Sequence, residues 1–147
     1  YQIYQTPTHV AIVQEMIHDV RIIPVDGRTH LTTDIRQWHG DSRGYYKEDS
    51  LVIETKNFAD RGAFRGATSG LILKERFTRI NTNTVRYEVE VNDPATWTQP
   101  WAVMFPMIKT DQPMFEYACH EGNRGLANIL SNARHAEDPH YADNLSR

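Results

Sequence analysis

A single cysteine in 147 residues excludes a disulfide within the chain, so any core must hold by packing. Charge of one sign is equally scarce. With 16 basic residues against 19 acidic ones, neither nucleic acid nor an anionic membrane surface is an expected partner. No apolar run approaches the roughly 20 residues that cross a bilayer, and a membrane-spanning helix is not expected. Phosphate-binding glycine loops and a serine-hydrolase elbow are missing, which removes support for nucleotide hydrolysis and standard serine chemistry. Spaced cysteine and histidine pairs of the structural zinc kind are missing too, and no metal or cofactor is expected.

What the chain does contain is β-prone. The region from His9 to Val25 is rich in Val and Ile and predicts one long bent strand or two short ones, ending at Asp26-Gly27, a dipeptide suited to a tight hairpin turn. Residues 28–46 are polar, centred on Trp38-His39-Gly40-Asp41-Ser42-Arg43-Gly44, and read as a long ordered loop or irregular strand. Tyr45-Tyr46 and Leu51–Thr55 flank a polar tip and predict a hairpin. Residues 58–70 carry three glycines without periodicity and read as a surface connection.

The clearest pattern is a hairpin with arms Leu71–Ile80 and Val85–Val91. Leu71, Leu73, Glu75 and Phe77 share one face, as do Val85, Tyr87, Val89 and Val91, while Lys74, Arg76 and Thr78 lie opposite Arg86, Glu88 and Glu90. Trp101–Met107 predicts a further strand. Leu126, Ile129, Leu130 and Ala133 repeat at helical spacing behind Asn123, a plausible N-cap.

These elements predict a mainly β domain over residues 1–137 with a polar C-terminal tail over 138–147. Strands in hairpin order suggest an antiparallel up-and-down barrel or strongly curved sheet, lipocalin-like, with one short C-terminal helix; a sandwich is the alternative. A small barrel has an interior that holds side chains or one small ligand.

Several runs resemble the C-terminal half of a family of uncharacterised secreted bacterial proteins. They are Glu15–Ile23, Trp38-His39-Gly40-Asp41-Ser42, Leu51–Phe58, Glu75-Arg76-Phe77 and Glu116-Tyr117-Ala118-Cys119-His120-Glu121-Gly122-Asn123. The resemblance implies an export signal and a further N-terminal region, hence a secreted or periplasmic location. A chain beginning at Tyr1 within alternating residues reads as a processed segment. No catalytic residue set comes with the resemblance.

Glu75 lies on the inward face, where a carboxylate must be paired, hydrogen-bonded or protonated. An internal ion pair to arginine is its structural explanation. Tyr87 shares that hairpin and brings a hydroxyl toward Glu75, and His18, between Met16 and Val20, is a third inward candidate for proton transfer. Arg36, Trp38, Asp41 and Arg43 on the long loop offer guanidinium and indole groups that could clamp a carboxylate or aromatic ligand, or Arg36 and Asp41 could tie the loop down. Glu116 and His120, beside Cys119, concentrate ionisable groups before the helix and are further candidates for ligand binding, though adjacent side chains diverge on a strand and disfavour a thiol nucleophile or metal site there.

The leading expectation is a small, partly apolar ligand held by the interior and the Trp38 loop. A cofactor-independent lyase or isomerase with His18, Glu75 and Tyr87 as acid and base is one alternative, and self-association through strand edges, beginning with residues 1–13, is the other. With one thiol only, the melting temperature of the monomer is expected to be the same with and without reductant. A reductant-dependent melt of the monomer would contradict it.

Overall fold

The computed structural model describes residues 1–60, 64–118 and 120–137. Cys119 and the tail over 138–147 lie outside the described residues. The chain divides into two units, Tyr1–Phe115 and Glu116–Arg147. Among the described residues the first carries the strands: β1 (Gln2–Gln5), β2 (His9–Gln14), β3 (Asp19–Pro24), β4 (Asp41–Lys47), β5 (Ser50–Lys56), β6 (Ile72–Asn81), β7 (Thr84–Asn92) and β8 (Trp101–Ile108). The second carries α1 (Gly125–Glu137), begun by Asn123, whose side chain accepts the Gly125 N–H at 2.9 Å. Leu126, Ile129 and Leu130 are exposed on it.

All strand pairing is antiparallel and sequential, β1-β2-β3 in one sheet and β4-β5-β6-β7-β8 in the other. Neither sheet closes. The barrel expectation therefore holds only as far as a mainly antiparallel β architecture with one short helix. The 9–25 region resolves into two strands because the chain folds back after Gln14, which pairs with Asp19. Asp26-Gly27 is not a hairpin turn: Gly27 does adopt φ +80°, but residues 28–40 offer no alternating arm, and the chain makes an excursion before entering β4. The 71–91 hairpin forms as expected, with Lys74 opposite Glu90 and Arg76 opposite Glu88.

The core between the sheets consists of Val10, Ile12 and Ile23 from the small sheet and Leu51 and Ile53 from the large one. β1 runs across the strands beneath it: Gln5 donates to the Tyr46 hydroxyl near the end of β4, whereas Tyr1 lies beside Phe105 and Met107 of β8. Close approach requires glycine at 44, where a Cβ would lie 3.0 Å from Val25 Cγ1 and 3.1 Å from Ile23 Cγ2. A second core gathers Phe58, Ala67, Leu71 and Val91 under Trp97 and Trp101, whose rings meet edge-on at 5.6 Å.

Asp93 ties this second core together. Buried at 2 % exposure, its carboxylate accepts from the Thr68 N–H and hydroxyl, the Ala95 N–H and the Thr96 hydroxyl. Burial opposes its ionisation, but the hydrogen bonds outweigh that and hold the carboxyl below its ordinary range. A carboxyl depressed in the folded state contributes stability above its unfolded pKa, about 3.9, that is lost as pH falls through the lower folded value. Asp93→Asn is expected to cost about 1–3 kcal/mol near neutrality and to flatten the acid limb of a stability–pH curve from chemical denaturation. An unchanged acid limb would show that Asp93 does not supply it.

Candidate functional site

Glu75 points inward, 4 % exposed, and meets a residue that strand alternation hides. Arg21 of β3 forks onto it, Nη1 donating to Oε1 at 2.9 Å and Nη2 to Oε2 at 2.6 Å. Nη2 also lies 3.2 Å from both the Ser42 and Thr55 hydroxyls, which share a hydrogen bond of 2.8 Å. The Tyr87 hydroxyl completes the shell, donating to Glu75 Oε1 at 2.8 Å. Its ring stacks between Phe77 and Phe105, with centroids 4.7 and 5.1 Å away. Burial, then the charge and hydrogen bond of Glu75, push the phenol well above the ordinary tyrosine value. Burial disfavours the Arg21 charge as well, but Glu75 overrides it and the guanidinium pKa is raised.

The cluster therefore resists proton transfer. Both carboxylate oxygens of Glu75 are taken by a fixed cation, and Tyr87 holds its proton more tightly than a free phenol. His18 does not join them. It sits exposed in the Glu15–His18 turn between β2 and β3, with φ 39°, because the hairpin uses residues 15–18 to reverse direction. A cavity of about 90 Å³ adjoins Arg21, Glu75 and Tyr87, walled by Ile12, Phe77 and Phe105. That is far below the roughly 300–1,000 Å³ of ordinary small-molecule sites.

The loop residues gather elsewhere. Arg36, Trp38, Asp41 and Arg43 line an open cleft of about 720 Å³, whose other wall is β3 through Val20, Arg21, Ile22 and Pro24. Trp38 is 64 % exposed there, and Ile22 is 59 % exposed. Arg36 and Asp41 each tie the loop down, though not to one another. Arg36 Nη1 donates to the carbonyls of Phe58 and Ser69. Asp41, 3 % exposed, accepts from His30 Nδ1 at 3.0 Å, from the Leu31 N–H at 2.8 Å and from Arg43 Nη1. His30 Nε2 in turn lies 3.4 Å from Glu54 Oε1. The Gln37 and Ala59 N–H groups donate to the Asn57 and Gln37 carbonyls, at 3.0 and 2.8 Å, and Asn57 Nδ2 donates to the Leu31 carbonyl.

Glu116 and His120 are exposed and belong to the second unit. Among the described residues no three His, Cys, Asp or Glu side chains gather to hold a metal ion, and no helix is long and apolar enough to cross a membrane. Arg21 and His30 are the residues that reading the sequence missed. No protein-family model matches the chain, and no curated protein or solved structure is significantly similar to it.

Glu75→Gln keeps the shape but leaves Arg21 buried beside a neutral amide, and is expected to cost about 3–5 kcal/mol in a denaturant melt. The paired replacement Arg21→Met with Glu75→Leu is expected to recover most of that loss, because no charge then remains buried. A Glu75→Gln protein within about 0.5 kcal/mol of the parent would remove the ion pair from the stability of the fold.

Proposed function

We propose that this domain binds a small, partly apolar, ring-bearing carboxylate in the cleft between β3 and the Leu31–Arg43 segment. The observation that carries this reading is an indole, 64 % exposed, standing over a cleft of about 720 Å³ on a loop whose backbone is pinned at several points. Exposing so much of a tryptophan on an anchored loop leaves its hydration cost standing in the free protein, and a stacked ring relieves it. The apolar wall of Val20, Ile22 and Pro24 suits the body of such a ligand. Arg36 Nη2 and Arg43 Nη2 make no hydrogen bond among the described residues and suit its carboxylate. The gap beside β3 thus takes the part that a barrel lumen would play. The resemblance to exported proteins would have the domain meet its ligand outside the cytoplasm. Acid-base catalysis by Glu75 and Tyr87 gains no support, since the arginine fork occupies the only inward carboxylate of that cluster.

Benzoate and indole-3-acetate, with their neutral amides, serve as probes in ligand-observed NMR and tryptophan fluorescence titrations. Saturable binding of the carboxylates is expected, weakened about tenfold by Trp38→Ala and by conversion to the amide. Because Trp38 is exposed, its replacement is expected to shift stability by less than about 0.5 kcal/mol. Equal binding by the parent and Trp38→Ala, or no saturable binding of any probe, would overturn the reading.

A further inference from the structure

A strand at the edge of a sheet ordinarily carries polar or charged side chains, because bare backbone groups beside apolar ones adhere to other strands. β8 breaks that rule. Its sequence, Trp-Ala-Val-Met-Phe-Pro-Met-Ile, holds no charged residue, and it ends the five-stranded sheet with Val103, Met104, Phe105 and Ile108 exposed. The opposite edge of that sheet, β4, carries Asp41, Arg43 and Lys47, and β3 of the small sheet has Asp19 accepting the Val20 N–H and Pro24 with none to offer. Both faces of β8 are apolar, Val103, Phe105 and Met107 on one and Ala102, Met104 and Ile108 on the other, a pattern that belongs to strands covered on both sides.

The ladder to β7 fixes which backbone groups remain. The Lys109 N–H donates to the Asn83 carbonyl at 2.8 Å, and the register runs unshifted from Thr84 opposite Ile108 to Val91 opposite Trp101, so the odd residues of β8 bond to β7. Ala102, Met104, Pro106 and Ile108 turn their backbone groups outward, where they have no partner among the described residues. Pro106 thus stands where its missing N–H costs the ladder nothing.

These groups restrict how a second β8 can pair with the first. About a two-fold axis, even residues must face even residues. An axis at Phe105 sets Ala102 opposite Ile108 of the second copy and Met104 opposite its Pro106; each Ala102–Ile108 pair gives two main-chain bonds and each Met104–Pro106 pair one, six in all. An axis at Met104 sets Ala102 opposite Pro106 and leaves four within the strand. With the axis at Phe105, Phe105 meets its own copy where the chains run closest, prolonging the row of rings Phe77, Tyr87 and Phe105, and Val103 meets Met107. A foreign strand satisfies this edge only by being apolar on both faces, and β8 of another copy is such a strand.

We propose that two copies of this chain associate through β8, antiparallel about a two-fold axis at Phe105, joining two five-stranded sheets edge to edge. The surface lies at the far side of the sheet from β4 and the Trp38 cleft.

Sedimentation velocity of the full chain from about 1 μM to about 1 mM is expected to show monomer passing to dimer, with the Ala102, Met104 and Ile108 amides gaining exchange protection at the concentrated end. Met104 and Ile108 are 62 % and 66 % exposed, so Met104→Lys with Ile108→Lys spares the fold and is expected to weaken the dimer more than about tenfold. Cross-linking in a Cys119→Ser background reads the register. Phe105→Cys is expected to oxidise to a covalent dimer, because residues facing each other at a non-hydrogen-bonded site lie within disulfide reach, whereas Val103→Cys alone is not. Should Phe105→Cys disturb the fold, mixed Val103→Cys and Met107→Cys chains are expected to cross-link to one another. A chain that stays monomeric at about 1 mM, a dimer indifferent to the two lysines, a dimer that protects the β1 edge instead, or a Val103→Cys chain that cross-links to itself would overturn the proposal.

Discussion

Between two sheets that share no strand pairing, the guanidinium of Arg21 is the group on which most of the polar interior depends. It forks onto Glu75 of the large sheet and reaches the Ser42 and Thr55 hydroxyls, while Tyr87 closes the remaining side of the carboxylate. Desolvating two charges costs several kcal/mol, and the pair compensates only because nearly every donor and acceptor is used. Hydrophobic contacts from Val10, Ile12 and Ile23 supply the adhesion between the sheets, but they would tolerate a shift of one sheet over the other. The bidentate fork does not, and it sets the register of the docking.

That constraint also decides where chemistry is available. Both oxygens of the Glu75 carboxylate are occupied by arginine and tyrosine, which leaves the inward cluster holding the two sheets together. The ligand site we propose lies instead in the excursion before β4, where an exposed aromatic stands on a segment stapled by Asp41, Asn57 and Arg36. His30 lies between two carboxylates, Asp41 and Glu54, and fastens that excursion to β5. Rigid scaffolding of a recognition loop lowers the ordering cost of binding.

Hairpins were legible wherever both arms and the turn were local. The 71–91 hairpin matches the observed β6 and β7 to within two residues, and the inward placement of Glu75 and Tyr87 follows from alternation alone. Docking of one sheet on the other was not legible, because it rests on contacts far apart in the chain. Arg21 shows why. In Val20-Arg21-Ile22-Ile23 the alternating apolar pair is Val20 and Ile22, yet those face the cleft, and Arg21 turns inward with Ile23. The pairing of Ile12 with Arg21 and of Val10 with Ile23 decides the face, and no local pattern reports it. His18 lies outside the inward cluster for a related reason: the reversal between β2 and β3 consumes residues 15–18, so no strand runs through Met16. Trp38, Arg36, Asp41 and Arg43 do meet at one cleft, because a dense polar segment rich in Gly and Asp has to be anchored by its own side chains.

The sequential order of strands in both sheets has a kinetic meaning. Each pairing joins neighbours in the chain, so every ladder can close over a short loop at small entropic cost. The contact between Arg21 and Glu75 spans 54 residues and requires both sheets to exist already. Docking is therefore expected to follow ladder formation, and until it occurs the apolar faces of both sheets are open to water. Pulsed amide exchange during refolding would register ladder protection before the inter-sheet core closes. Asp19, which covers the Val20 N–H, and Pro24, which has none, blunt the β3 edge and guard the chain in the interval when misassembly is easiest.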